Sequence, residues 1–220
     1  MSRLFILGTP IGNLADLSER GRRVLEAVDL VVAEDTRVTG RLLAAQGLKK
    51  RLLSYRAPVE ERTLARVLAG LEEGDAALVT DAGTPAVSDP GAKLVAAAWE
   101  AGHTVSPVPG PSAVTAAISA SGFAGPGFTF VGFLPRKPGE IRRLLQSLAP
   151  QSRPSVAFES PHRIRRTLGL IAEVLPDRPV LLARELTKIH EELLRGPAGE
   201  VLEALGERAR GEFTLVIAGA

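Results

Sequence analysis

Three short polar clusters hold many of the side chains able to do chemistry. Glu34-Asp35-Thr36-Arg37 sets two adjacent carboxylates beside a cation, and Glu159-Ser160-Pro161-His162-Arg163 groups a carboxylate, a hydroxyl, an imidazole and a guanidinium. Arg184-Glu185-Leu186-Thr187-Lys188 interleaves the two signs of charge. Carboxylates so placed can accept a proton, while Arg and Lys can stabilise negative charge or orient an anion. Each cluster follows directly on a short apolar run, which places it at the carboxyl end of a strand, where open α/β sheets meet their ligands. Simpler duties compete. Asp35 or Thr36 would serve as a helix N-cap, and Arg184, Glu185 and Lys188 would serve as an ion-paired group between two domains. A cap needs one residue, however, and the first cluster has four polar ones in a row.

A fourth stretch carries less charge but more constraint. The apolar run 76–79 hands over to Thr80-Asp81-Ala82-Gly83-Thr84-Pro85, and then to Asp89-Pro90-Gly91. Asp89 and Pro90 read as the N-cap and first residue of the next helix. Residues 81–85 are five more than a strand-to-helix connection requires, so they read as a binding loop. Residues 4–7 likewise end in Gly8-Thr9-Pro10-Ile11-Gly12-Asn13, a second ligand-facing loop. It lacks the G-x-G-x-x-G dinucleotide fingerprint, and no Walker A sequence is present.

Composition narrows the classes. The chain of 220 residues is 45% hydrophobic and 24% charged, ordinary for a soluble globular protein of one large or two small domains. It has no run of 18 apolar residues, and its first residues hold too short an apolar core for a signal peptide, so a cytoplasmic protein without a membrane span is expected. Without Cys there is no thiol nucleophile or thiolate metal site, and His103, His162 and His190 are too dispersed for a helical metal pair; no metal is expected. The formal net charge is only +2, but the basic residues are clustered. Arg37, Arg41, Lys49, Lys50, Arg51 and Arg56 form one acid-free stretch; Arg136, Lys137, Arg142, Arg143, Arg153, Arg163, Arg165 and Arg166 form another with Glu140 and Glu159. Two such stretches suggest a surface facing a polyanion.

The elements that would position these clusters alternate strand and helix. Strands are expected at 4–7, 29–33, 52–55, 76–79 and 103–108, with helices between them, which argues a mostly parallel sheet. The helix over 60–73 carries Leu64, Val67, Leu68 and Leu71 inward, and that over 90–101 carries Leu94, Val95, Ala98 and Trp99 inward. Pro109-Gly110-Pro111 marks a boundary, dividing the chain into domains 1–110 and 111–220. Beyond it, strands at 128–134, 155–158, 179–183, 191–196 and 213–218 and helices over 140–148, 164–175 and 197–210 fit a second, mixed α/β domain. Ser112 and Ala113 stand at the N-terminus of the first helix there, where free N–H groups favour polar ligand atoms.

With these loops laid out, the chain resembles the tetrapyrrole methylase family of S-adenosylmethionine-dependent enzymes, and within it the branch that methylates ribosomal RNA. The segments that carry the likeness are Thr9-Pro-Ile-Gly-Asn-Leu14, Ala33-Glu-Asp-Thr-Arg37, Thr80-Asp-Ala-Gly-Thr-Pro85 with Asp89-Pro-Gly91, Pro109-Gly-Pro111, Phe158-Glu-Ser160 with His162-Arg163, Ala183-Arg-Glu-Leu-Thr-Lys188 and Gly211-Glu-Phe213. They span the chain in family order. The resemblance implies two α/β domains with S-adenosylmethionine in the cleft between them, and a homodimer. Matching positions would hold the cofactor through Pro10, Gly12, Asp81, Gly83, Thr84, Pro85, Val87, Ser112, Ala113, Phe158 and Leu186. It implies methyl transfer to the ribose 2′-hydroxyl of a cytidine in the decoding region of small-subunit ribosomal RNA, as free RNA or as the assembled 30S subunit. Two segments depart from the family pattern: Arg56-Ala57-Pro58-Val59-Glu60, where relatives often carry His and acids, and the end at Ala220, where many continue into a helical tail. Both bear on RNA contacts more than on the cofactor.

A ribose hydroxyl is a poor nucleophile at neutral pH, so a positioned base or cation would assist it. The candidates are Glu34, Asp35, Glu159 and Glu185 as proton acceptors, with Lys188 and Arg37 as electrostatic groups. Arg37, Arg41, Arg136, Lys137 and Arg163 are the candidate RNA contacts. Two other functions remain open: C-methylation of a carboxylate-rich tetrapyrrole, and a non-catalytic RNA-binding or assembly role.

Overall fold

A computed structural model describes residues 2–56, 60–123 and 125–220. Ala57, Pro58 and Val59, within the segment that departs from the family pattern, lie outside the described residues, as does Ala124 of the loop before the sixth strand. The chain divides into two compact units, Met1–Ser112 and Ala113–Ala220.

The first unit alternates β1 (Arg3–Leu7), α1 (Glu19–Ala27), β2 (Leu30–Ala33), α2 (Thr36–Ala45), β3 (Arg51–Ser54), α3 (Glu60–Glu73), β4 (Ala76–Val79), α4 (Ala92–Glu100) and β5 (Thr104–Val108). Its five strands form one sheet in the order β3-β2-β4-β1-β5 with every pair parallel. All four residues of β2 and all four of β4 are buried, as a parallel strand covered on both faces requires. Leu25 of α1, Val28 just after it and Leu43 of α2 pack with Phe5, Leu7, Val31 and Val79 on one face. Val67 and Leu71 of α3 and Leu94 and Ala98 of α4 pack with Leu4, Leu30, Val32 and Leu78 on the other. The chain therefore leaves β1 and β2 toward one face and β4 toward the opposite face. Adjacent connections that part in this way open a crevice beyond the strand ends.

Two expectations for this unit are corrected. Asp89 and Pro90 do not cap and start α4; the helix begins at Ala92 behind Gly91, whose φ of 131° turns the chain without any side-chain cap. A Cβ on Gly91 would lie 2.8 Å from Leu78 Cδ2, so the backbone makes this turn pressed against β4. Trp99 is 61% exposed rather than buried. At about 100° per residue it falls well outside the Leu94–Ala98 stripe, past Val95 on the flank.

The second unit runs α5 (Ala113–Ser121), β6 (Thr129–Phe133), α6 (Pro138–Leu148), β7 (Ser155–Glu159), α7 (Ile164–Val174), β8 (Pro179–Arg184), β9 (Glu192–Pro197), α8 (Ala198–Leu205) and β10 (Phe213–Ile217). Its sheet has the order β6-β7-β10-β8-β9; β6 pairs parallel with β7 and the other pairs are antiparallel. Period-two alternation splits each strand between two layers. Ala157, Leu182, Leu215 and Ile217 face a core built with α6, α7 and α8. Val156, Leu181, Ala183 and Val216 face Val114 and Ala117 of α5, the Ala-rich helix whose small side chains permit close packing. The helix expected over 197–210 stops at Leu205, because Gly206 takes a φ of 53°.

Candidate active site

The carboxyl edge of the first sheet is stitched together by backbone. Gly8 and Gly110 approach so closely that a Cβ on Gly110 would fall 2.4 Å from the Gly8 carbonyl oxygen, which fixes both residues as glycine. Beyond them Thr9 and Gly83 exchange N–H···O bonds of 2.9 and 3.1 Å, and Thr9 Oγ1 donates to the Thr80 carbonyl at 3.1 Å. These contacts lock the loops after β1 and β4 to each other. Pro10, Gly12, Asp81, Gly83, Thr84, Pro85, Val87 and Ser112 all lie on the loops that follow β1, β4 and β5, and Thr84 Oγ1 reaches the Pro111 carbonyl at 3.5 Å.

The loops after β2 and β4 are joined by their carboxylates. The Asp35 N–H donates to Asp81 Oδ1 at 3.0 Å, and the Asp81 N–H donates to Glu34 Oε2 at 3.3 Å. Asp35 caps α2 through the Arg37 N–H at 2.8 Å, so its simpler duty is real, and it also receives the Arg37 guanidinium at 3.0 Å. That guanidinium holds the Asp35 carboxyl far below the usual range. Its neighbours move the other way. Burial raises Glu34 against the opposing bond from the Asp81 N–H, with help from the charges of Asp81 and Asp35. Burial likewise raises Asp81. Asp89 is pushed up to about 6, first by burial and then by Glu34, with the Thr80 side chain hydrogen-bonded to it in opposition. One edge thus holds a carboxylate fixed in its charged form and three held nearer neutrality.

A cavity of about 270 Å³ opens beside this cluster, lined by Thr9, Pro10, Leu14, Val38, Thr39, Arg41, Leu42, Thr80 and Asp81. Thr39 is 2% exposed and its hydroxyl has no hydrogen-bonding partner. Arg41 stands exposed at the margin. The Arg37 side chain is 83% exposed while paired with Asp35.

The candidates of the second unit form a separate set. Glu159 is 2% exposed and accepts from the Ser160 N–H and Thr167 Oγ1, each at 2.7 Å, and from the Arg163 guanidinium at 2.6 Å. Arg163 in turn donates to the carbonyls of Leu134 and Pro135, which turns it inward, whereas Arg136 and Lys137 are exposed. Glu185 accepts from Lys188 at 2.8 Å and from the Glu212 N–H at 2.9 Å. Burial alone would raise its carboxyl; these two bonds outweigh it and hold the group low. Lys188 also meets Glu212 at 3.0 Å, and the two carboxylates overcome its burial to hold its ammonium above the ordinary value. Ala113 starts α5, and Phe158 and Leu186 pack on the same apolar layer as that helix.

Sequence reasoning passed over two features. Asp89 read as a helix cap and instead joins the acidic cluster; its position four residues after Pro85 gave no separate signal. Thr39 lies inside α2 and carries no motif, so only its burial reveals it. Among the described residues, no group of three or more His, Asp or Glu gathers as a metal site, and no helix is long and apolar enough to cross a membrane.

Comparison with known proteins agrees with this architecture. Residues 3–202 match the model of the Tetrapyrrole (Corrin/Porphyrin) Methylases. A Thermotoga maritima protein named ribosomal RNA small subunit methyltransferase I is 46% identical over 221 aligned residues, covering 100% of this chain and 99% of that one. The Neisseria meningitidis protein of the same name is 47% identical over 97% of this chain and 75% of its own length. Among solved structures, cobalt precorrin-4 methyltransferase superposes with a TM-score of 0.71 at 18% identity, over 98% of this chain and 94% of that one, a likeness of fold. Uroporphyrin-III C-methyltransferase from Thermus thermophilus gives a TM-score of 0.67 at 25% identity, over 99% and 94%. The parallel sheet with its locked Gly/Pro loops, the mixed second sheet and the match over residues 3–202 together establish that the chain belongs to the tetrapyrrole methylase family.

Proposed function

We propose that the protein transfers a methyl group from S-adenosylmethionine to the ribose 2′-hydroxyl of a cytidine in the decoding region of small-subunit ribosomal RNA. The observation that carries this reading is the 46% identity, over almost the whole of both chains, to a relative named for small-subunit rRNA methylation. The same resemblance makes a cytoplasmic homodimer the working assembly.

The residues at the sheet edge fit the cofactor. Gly83 presents bare backbone at a φ of 81°, a conformation that a residue with a Cβ would strain to adopt. Glu34, Asp35, Asp81 and Asp89 make the edge electronegative, which suits a ligand bearing ammonium and sulfonium cations. Pro10, Gly12, Asp81, Gly83, Thr84, Pro85, Val87 and Ser112 would hold it, together with Ala113, Phe158 and Leu186. When bound, the cofactor supplies an electrophilic methyl group.

The chain's own part is to orient the hydroxyl and take its proton. A useful acceptor has a pKa near the working pH. Asp35, locked in its charged form by Arg37, is a weak base; Glu34, Asp81 and above all Asp89, whose carboxyls burial raises, are the stronger ones. Glu159 already accepts from three donors and serves to hold the loop around Arg163. Lys188, kept protonated, acts as a fixed cation.

Tetrapyrrole C-methylation, the activity named for the 25%-identical Thermus thermophilus protein, is the second reading. Both substrates are polyanions, so charge does not separate them; the 46% identity to a relative named for rRNA methylation, over almost the whole of both chains, favours RNA. The test is transfer of tritium from labelled S-adenosylmethionine, with undermethylated small-subunit particles, naked rRNA and a tetrapyrrole precursor assayed side by side. Label on a ribose 2′-oxygen is the expected result. Label on the tetrapyrrole alone would move the protein to the other branch. Failure to bind S-adenosylmethionine at all would leave the assembly role.

A further inference from the structure

The second unit presents an exposed aromatic ring, Phe133, that is not among the candidate residues above. Phe133 ends β6, the edge strand of its sheet, and is 60% exposed. The ladder between β6 and β7 shifts register between Phe130 and Phe133, with Gly132 at a φ of 70°. Such an irregularity re-aims the side chain that follows it. Phe133 consequently leans on Phe158, with ring centroids 5.5 Å apart and planes inclined at 60°, while its outer face stays open to solvent.

The next residues are held rigidly. Leu134 is buried and its N–H donates to the Phe158 carbonyl at 3.2 Å. Arg163, anchored by Glu159, donates to the Leu134 and Pro135 carbonyls at 3.3 and 3.1 Å, and Arg166 donates to the Arg136 carbonyl at 3.1 Å. Two guanidiniums, one from the residue before α7 and one from its first turn, thereby tie three successive carbonyls. The Arg136 and Lys137 side chains are left outward; Lys137 is 81% exposed, with Glu140 3.6 Å away.

We propose that Phe133 is a stacking platform for an unpaired base of the RNA, with Arg136 and Lys137 holding the adjoining phosphates. An exposed ring flanked by cations on a fixed backbone is the arrangement that binds single-stranded nucleic acid, because every base offers a π-face and every step a phosphate. Because the loop is ordered in advance, little conformational freedom is lost on binding. An apolar protein partner would not call for the two cations. This assignment rests on the RNA-methyltransferase reading above.

The test uses the full chain and a short single-stranded oligoribonucleotide carrying a fluorescent base analogue. Phe133→Ala should weaken its binding about tenfold and abolish stacking-induced quenching, while Phe133→Trp retains both. Arg136→Gln with Lys137→Gln should lower the slope of log affinity against log salt by about 0.7 for each charge removed. Affinity for S-adenosylmethionine, measured by calorimetry, should not change in any of these variants. Unchanged oligonucleotide binding and quenching in Phe133→Ala would overturn the platform alone. A loss of S-adenosylmethionine affinity in that variant would also overturn it, making Phe133 a cover for the cofactor. Wild-type protein that does not bind the oligonucleotide would overturn the platform, while the methyltransferase reading is judged separately by tritium transfer to small-subunit particles.

Discussion

Replacing Asp89 with Asn should make the protein more stable and less active, and the pH dependence of the gain is the informative part. In the unfolded chain Asp89 ionises near 3.8; in the folded protein it does so at about 6, because the loop after β4 buries it and sets Glu34 and Asp81 around it. The folded state therefore holds a proton that the unfolded chain releases between those values. Stability from this group is full below the unfolded value and is lost as pH rises through the folded one. A shift of about two units corresponds to a ceiling of roughly 3 kcal/mol. Asp89 is only half-buried, so solvent screening reduces the effect to about 1 kcal/mol. Asn keeps an acceptor for Thr80 and removes the charge. Asp89→Asn should thus gain about 1 kcal/mol at pH 7.5, or about 2–4 °C in Tm, and the gain should vanish near pH 4. Urea or thermal unfolding followed by circular dichroism at a series of pH values would measure it. In a Glu34→Gln background the gain should shrink, since Glu34 is the main charged neighbour. A gain that does not vary with pH, or a loss at pH 7.5, would refute the reasoning. Methyl transfer in Asp89→Asn should fall at least tenfold if this group takes the hydroxyl proton.

Three other outcomes follow from the same geometry. Gly110→Ala drives a Cβ into the Gly8 carbonyl and should cost about 2–3 kcal/mol, with S-adenosylmethionine binding lost; chemical unfolding and calorimetry would check both. Glu159→Ala strands the inward Arg163 guanidinium and should cost about 3 kcal/mol, whereas Glu159→Gln, which keeps an acceptor, should cost much less; their denaturant midpoints separate the two cases. Lys188→Met removes the cation that holds the Glu185 carboxyl low and should cost about 1 kcal/mol at neutral pH. Because a depressed acid contributes stability above its unfolded pKa and loses it as pH falls through the folded one, that cost should disappear in acid.

The strands were legible because burial on both faces leaves a simple trace. Residues 76–79 and 30–33 are short unbroken apolar runs, and Gly47, Gly74 and Gly102 punctuate the helices between them. Trp99 was misplaced because an Ala-rich helix shows no sharp stripe; when small residues fill most faces, the largest one reads as core. Asp89 was misplaced because Asp-Pro is a good local start for a helix, and only the three-dimensional pressure of the turn against Leu78 made Gly91 the better one. Local capping preference is worth about 1 kcal/mol, less than the packing it competes with. The division of labour among the acids was not legible. The partners of Glu159 include Thr167, eight residues on, and Asp35, Asp81 and Glu34 are joined across 46 and 47 positions of sequence. A carboxylate's role depends on who donates to it, and spacing does not carry that information.

Backbone strain gives the acidic edge and the Glu185 loop a common character. Among the described residues, the non-glycine residues with positive φ are Ala86, Ser88, Glu185 and Thr187. Two stand on the loop after β4 and two on the loop after β8, both expected from sequence to meet a ligand. A left-handed conformation costs a residue with a Cβ about 1–2 kcal/mol, so chance would not gather four of them on two loops without compensation. Part of the compensation is visible. The Thr187 N–H donates to Glu191 Oε2 at 2.6 Å, and Glu185 gathers Lys188 and the Glu212 N–H. Part is not: the Thr187 hydroxyl is buried without a partner. Glycine at these positions would relax the chain and surrender the fixed geometry. Retaining Ala, Ser, Glu and Thr keeps the loops in one conformation before any ligand arrives, and a methyl transfer that depends on in-line placement draws its rate from such fixed placement.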